Sequence, residues 1–501
     1  MRIGVFGTVA LLLLVTGCSG DEPWGAADGP VSAVTADLPA PLLHWESCRD
    51  APGLSCADLP VPLDYRHPEG AKISIAVSRL STGDGHPVLL SNPGGPGASG
   101  LFNTLGVDGL TGGALRERFD LIGFDPRGVG RSGGVHCGLD ANLVAAAAGG
   151  AAPRDFRHDA DAASAIASAC AAGAGPVLPH LTTANTARDV ELLRKALHRE
   201  RISFVGTSYG AELAVAYASM FPGGTDRVVL DSASDVTVGW RAARREEAAA
   251  ADARFTEVAA KIAREEPRWH LGTTAGEVRD RYLRTAAELD ARPRSIDGSR
   301  VDAAVLQEAR LLPALRSDDD IAPFALTLAY LSSAPGALSE QDLLAALGPE
   351  RDAGPLPGGQ SAEQNASAFL AVRCGDERWP ADTEEYRRAT SDEASRFPVT
   401  RGQFSKITAC AFWPGPPPPA RPDVTDRGWR GGPNVLILRN TRDFLAPDEG
   451  VTNTRRALGR RAVAISVDDY RHGVLGRSAC ATGYAVRWLV GTGTPRRDLA
   501  C

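Results

Sequence analysis

Arg201-Ile-Ser-Phe-Val-Gly206-Thr-Ser208-Tyr-Gly210-Ala-Glu-Leu-Ala-Val-Ala-Tyr-Ala-Ser-Met220 is the stretch that decides the fold. Its first residues are apolar and β-branched, as in a parallel strand buried on both faces. Its last ten are strong helix formers, and Pro222 follows as a stop. Between them lies G-x-S-x-G, with Ser208 at its centre. A serine on a sharp strand-to-helix turn projects its Oγ above the sheet, and glycines two before and two after let the backbones approach without Cβ clashes. The helix that follows aims its first amides at the same point, which favours developing negative charge.

Working outward, Val88–Ser91 is a short buried strand that runs into Asn92-Pro-Gly-Gly-Pro-Gly-Ala-Ser99, a loop able to expose main-chain N–H groups. Phe119–Phe124 is another, and it empties into Asp125-Pro-Arg-Gly-Val-Gly-Arg-Ser132. Asn185–His198 is strongly helical, and Arg227–Leu230 is the next strand, ending at Asp231. Strands alternating with helices predict a mostly parallel, doubly wound α/β sheet. From about residue 236 to 430 long Ala/Arg/Glu helical runs replace the strands, closing on the proline-rich Trp413–Pro422. Strands return at Asn434–Leu438 and Ala462–Val467. The expected organisation is a core of 42–235 and 431–501 with a helical cap, 236–430, inserted into it.

A serine elbow of this kind resembles that of the α/β-hydrolases, in which the triad runs Ser, acid, His along the chain. Of nine histidines only His270 and His472 follow Ser208. His270 sits in the helical segment, whereas His472 follows a core strand, so His472 is the expected base. Asp443 lies just past the preceding strand and is the expected acid. Asp468 and Asp469 are rivals, but they share the histidine's own strand end and would struggle to reach Nδ1. The second oxyanion donor is expected from the Gly94-Gly95 loop, beside the amide of Tyr209. This chemistry needs no metal or organic cofactor.

At 501 residues, 43% hydrophobic and 23% charged, the chain is of globular composition. A net charge of −7 with no basic block argues against nucleic acid as a partner. Arg2 and the apolar run Ile3–Val15 form a charged-then-apolar segment typical of an export signal. It ends in Thr16-Gly17-Cys18, similar to a bacterial lipobox, so that 1–18 reads as a lipoprotein signal, Cys18 as the lipidated residue and 19–41 as a flexible tether. The expected location is outside the cytoplasm, anchored to a membrane or secreted. Eight cysteines remain, an even number suited to an oxidising compartment. Proximity favours the pairs Cys48–Cys56, Cys137–Cys170, Cys374–Cys410 and Cys480–Cys501. No C-x-x-C or histidine cluster points to zinc.

Asn92–Ser99, Asp125–Ser132, Gly206–Gly210 and Asp443…His472-Gly473…Cys480 together resemble the tripeptidyl-aminopeptidase group of exported actinobacterial serine hydrolases, related to prolyl iminopeptidases. The likeness runs from about Trp45 to Cys501 and is weakest through the cap. It implies an α/β-hydrolase with an inserted cap, and an exopeptidase that takes peptides with a free N-terminus. By the same resemblance Ser208, Asp443 and His472 form the triad, and Gly95 and Tyr209 donate to the oxyanion. Two departures stand out: Ala446 occupies a position where the group carries threonine, and the early cap lacks a cysteine that relatives often have. An α-ammonium calls for a focused carboxylate, and Glu246, Glu247, Asp376 and Glu377 are the cap acids to consider. An esterase on the same triad and a non-catalytic surface protein are the competing readings.

Overall fold

The computed structural model describes residue 35 and residues 38–501, with breaks at 84, 148–154, 297, 334–338, 348–358, 416–421, 427–428 and 494. The export segment, Cys18 and most of the tether lie outside the described residues, as does much of the proline-rich connector.

A ten-stranded sheet forms the core, in the order β1-β2-β3-β5-β4-β6-β7-β10-β11-β12. One edge is antiparallel: β1 (Glu46–Ser47), β2 (Ser55–Pro62) and β3 (Lys72–Leu80), the last pairing antiparallel with β5 (Asp120–Phe124). From β5 onward the sheet is parallel through β4 (Val88–Asn92), β6 (Ile202–Thr207), β7 (Thr225–Asp231), β10 (Val435–Asn440), β11 (Ala462–Val467) and β12 (Leu499–Ala500). Alternation along each strand divides its apolar residues between two layers. Leu90, Phe204, Val228 and Ile437 pack with helices on one face, while Leu89, Val205, Val229 and Leu436 pack on the other. Both faces are covered, which is why these strands read as continuous apolar runs and not as alternating ones.

The helices that matter to the site are, in chain order, α1 (Phe156–Gly173), α2 (Thr183–Ala196), α3 (Tyr209–Met220), α4 (Trp240–Arg264), α5 (Ala275–Ala291), α6 (Ile321–Ser332), α7 (Ala362–Gly375), α8 (Thr383–Arg396) and α9 (Ala479–Val490). Helices α2 and α3 cover one face of the sheet, and α9 covers the other through Trp488. Helices α4 to α8 form the cap, between β7 and β10. Its centre is aromatic: Phe255, Tyr282 and Phe324 are all fully buried, with ring centroids 5.4–6.2 Å apart. Thr274 and Ser361 close capping boxes at the starts of α5 and α7, fixing where two cap helices begin.

The cap differs from a purely helical insertion in two ways. A short antiparallel hairpin, β8 (Arg294–Ile296) with β9 (Ser299–Val301), lies within it. The excursion between β5 and β6 also joins it, although sequence order places that stretch in the core. Ile166 and Ala167 of α1 share one buried apolar cluster with Leu370 and Ile407, so the roof of the molecule is assembled from two separate parts of the chain. Cys137–Cys170 and Cys374–Cys410 staple those parts internally, and Cys48–Cys56 and Cys480–Cys501 pin the two ends of the core. These are the four pairings that proximity favoured.

Candidate active site

The elbow follows from its backbone. Ser208 has φ 56° and ψ −129°, a strained conformation for a residue with a side chain. It is held there from both sides: its N–H donates to the Asp231 carbonyl at 2.8 Å, and its carbonyl accepts from Ala211 N–H at 2.8 Å. The flanking glycines are required for contact. A Cβ on Gly206 would lie 2.0 Å from the Gly210 carbonyl oxygen, and one on Gly210 would lie 2.2 Å from that of Asn92.

The glycine loop after β4 lies directly on this turn. Gly94 has φ +104°, and a Cβ there would meet the Thr207 oxygen at 2.5 Å and the Tyr209 nitrogen at 3.0 Å. Gly95 comes next, before a cis bond to Pro96. The polar loop Asp125–Ser132 turns out to be its anchor. Asp125 accepts from Ser99 Oγ (2.6 Å), Leu101 N–H (3.0 Å) and Arg131 N–H (2.9 Å), and all but Arg131 belong to the run that begins at the glycine loop. Arg127 in the same loop makes a buried two-pronged pair with Asp189, 2.6 and 2.7 Å, which locks it to α2. Tyr209 adds a tie to the cap, its ring stacked on Trp240 at 6.0 Å and its hydroxyl 2.9 Å from Thr183 Oγ1.

On the other side, His472 Nδ1 lies 2.7 Å from Asp443 Oδ2. Asp443 is buried, and its other oxygen accepts from Leu445 N–H at 2.9 Å, which fixes the carboxylate plane. Burial pushes the His472 pKa down, but the hydrogen bond and charge of Asp443, helped by Asp231, more than offset this and hold it above the ordinary imidazole value. The rivals are engaged elsewhere. Asp468 pairs with Arg442 at 2.7 Å, and Asp469 pairs with Arg471 and accepts from the Tyr470 and Arg471 amides. His270 is exposed on the cap beside Glu266.

One residue that shapes the site escaped the sequence. Asp231 also ends a core strand upstream of His472, so by position alone it could have been the acid. Its carboxylate is instead spent on main chain, accepting from Val474 N–H at 2.8 Å and Leu475 N–H at 3.1 Å. Its neighbour Ser232 accepts from Gly473 N–H at 3.0 Å. Since the Asp231 carbonyl also holds Ser208 N–H, a single residue joins the nucleophile's turn to the histidine's loop. Asn440 completes the clamp from β10, donating to the Arg471 and Gly473 carbonyls at 2.6 and 3.1 Å. No sequence signal separates an aspartate that orients a loop from one that orients a ring.

The four cap acids also sort themselves. Asp376 is a strut that accepts from Thr183 and from Trp240 Nε1. Glu377 accepts from Arg241 N–H at 3.0 Å. Glu247 is buried beside Arg244 at 3.2 Å and lies close enough to His472 to feel its charge. Glu246 faces Asp235 and Glu449; burial, with those like charges, raises its pKa to about 7. Among the described residues no group of histidine, cysteine and carboxylate side chains is arranged to hold a metal ion.

Comparison with known proteins agrees with this fold. Residues 87–332 match the model of the α/β hydrolase fold, and residues 397–501 match that of TAP-like proteins. The chain is 30% identical to a tripeptidyl aminopeptidase of Streptomyces coelicolor, over 96% of its own length and 88% of that protein's. It is likewise 30% identical to a protein of Mycobacterium tuberculosis named carboxylesterase B, over 95% and 94% of the two chains. Over 206 residues it is 35% identical to the serine protease Hip1 of the same organism, covering 38% of this chain and 40% of that one.

Proposed function

The chain belongs to the tripeptidyl-aminopeptidase-like α/β-hydrolases and is a serine hydrolase, and from that premise we propose that it is an exported, lipid-anchored exopeptidase releasing short peptides from a free N-terminus. The observation that carries the reading is the single main-chain clamp at Asp231, which ties the Ser208 turn to the loop whose histidine already bonds Asp443. In the cycle, His472 Nε2 takes the Ser208 proton as Oγ attacks the scissile carbonyl, and Asp443 steadies the imidazolium. The oxyanion is received by the amides of Gly95 and Tyr209, each such donor contributing about 3–4 kcal/mol to the transition state. His472 then protonates the leaving amine, and water discharges the acyl-enzyme with His472 again as base. Glu246, the cap acid whose charged neighbours are all acidic, is the carboxylate assigned to the substrate α-ammonium, whose arrival would favour its ionised form. Anchoring rests on Cys18 at the end of the apolar leader, where two acyl chains give stable membrane attachment.

An esterase is the second reading, favoured by the full-length likeness to a carboxylesterase. Tripeptidyl nitroanilides with free and with acetylated N-termini, set beside short acyl esters, separate the two. The free-amine peptides are expected to be cleaved with the highest kcat/KM, and Ser208→Ala should remove all three activities. Turnover confined to esters, or equal turnover of blocked peptides, rejects the exopeptidase.

A further inference from the structure

A cavity of about 340 Å³ lies under the roof of the molecule, walled by α1, the first turns of α4, α7 and the segment 403–410. Its walls carry four cations, Arg241, Arg244, Arg373 and Lys406, against two acids, Asp159 and Glu308. Aromatic faces, among them Trp379 and Tyr386, line the rest.

The cations are not equally matched. Arg241 pairs with Glu385, and Arg244 pairs with Glu247. Arg373 is only 5% exposed, yet its guanidinium has no hydrogen-bond acceptor and no ion-pair partner among the described residues; its Nε is buried and unpartnered. Its nearest company is two rings, Phe369 and Trp379, with centroids 5.5 and 5.4 Å from Cζ. Rings soften the loss of water but accept no N–H bond. Arg241 Nη2, on the same wall, is buried and unpartnered too. An enclosed guanidinium without an acceptor is costly, which is why such groups are normally paired. Burial, and then the like charge of Arg244, push the Arg373 pKa down to about 9, even with Glu247, Glu377 and Glu212 within electrostatic range. The group is still a cation at neutral pH.

One helical turn of α4 separates the cavity wall from a residue within electrostatic range of His472. Arg244, on its wall, is three residues from Glu247 on α4, and Glu247, like Arg316, is a cap residue within electrostatic range of His472.

We propose that this cavity binds a carboxylate of the peptide substrate, with Arg373 as the residue that selects it. A carboxylate supplies the two acceptor oxygens that a guanidinium fork lacks here, and the aromatic walls take the methylenes beside it. The inference rests on the peptidase reading, and its test is chosen so that the two can fail separately. The carboxylate has two possible sources, an acidic side chain or a free C-terminus.

Wild-type kcat/KM is measured on tripeptidyl nitroanilides that differ only by Glu against Gln at each position, and on short peptides as free acids against their C-terminal amides. A preference of about tenfold or more for Glu identifies a side-chain carboxylate, and a similar preference for the acid over the amide identifies a C-terminus, as expected for one charge-assisted pair. Either preference should fall toward unity in Arg373→Gln. Equal rates within both pairs overturn the proposal while leaving the peptidase intact, and a preference that persists in Arg373→Gln overturns the assignment to Arg373. Should that variant fail to fold, the wild-type ratios still decide whether a carboxylate is selected.

Discussion

At the rim of the sheet, Ser208 and the His472 loop are held through their main-chain amides, the loop by the side chains of Asp231 and Ser232, and Asp443 is fixed by the amide of Leu445. Under the cap, the groups that face the cavity are held by other side chains: Arg241 by Glu385 and a tyrosine ring, Arg244 by Glu247 and the ring of Phe404. The difference is one of tolerance. Main-chain clamps at strand ends leave little room for a change of residue, because the same oxygens serve both the fold and the chemistry. Contacts between side chains can be exchanged without disturbing a strand, so the cap is where specificity can vary on a constant rim.

The comparison is tested most severely at Asp443. Asp443→Asn leaves the shape of the rim but donates to Nδ1 where it should accept, and kcat should fall about 10⁴-fold. The pH profile carries a second sign. In the proposed cycle His472 must be neutral to act, and its pKa is raised in the native protein, so kcat/KM should climb with pH through a midpoint above the ordinary imidazole value. Removing the Asp443 charge removes the largest cause of that elevation, so the acid limb of the residual activity should move to lower pH. An unchanged limb would show that Asp443 does not set the base.

A smaller effect is expected at Asp231, which touches no reacting atom. In Asp231→Asn one carboxylate oxygen becomes an NH₂ opposed to a main-chain N–H, a loss of about 1–3 kcal/mol of stability. If the clamp positions the histidine, kcat should also drop about 100-fold with KM little changed, the scale of a small misplacement of a catalytic group. A fall in melting temperature with normal kcat would reduce Asp231 to a strand cap.

The mildest change in catalysis belongs to the cap. Replacing Cys374 and Cys410 by serine releases α7, and Arg373 beside it, from the segment that forms the opposite wall of the cavity. Thermal unfolding should report a loss of about 2–4 kcal/mol. Peptide KM should rise while hydrolysis of a small acetyl ester is retained, because the rim is untouched. Equal losses on both substrates would mean that rim and cap are not separable.

The same contrast explains what could be foreseen. Ser208, Asp443 and His472 each sit where a run of buried β-branched residues stops, and their order along the chain leaves few alternatives. The paired cysteines were foreseeable because each partner is near in sequence. Asp231 was not distinguished, since its ligands are amides, which look alike in every sequence. The four cap acids could not be ranked, because helices rich in Ala, Arg and Glu do not reveal which face meets the core. The union of α1 with α7 was hidden for a related reason: an apolar stripe shows that a helix is covered, and not by what.

The sheet places β7, the partner of the serine's own strand, next to β10, although the whole cap separates them along the chain. During synthesis the Ser208 turn therefore emerges long before Asp443 and His472 exist. A growing polypeptide carries an unactivated hydroxyl, and a product cut short anywhere before residue 472 has no proton acceptor for it. On the proposed triad, the order of translation would by itself keep that hydroxyl unactivated until the last part of the core is made.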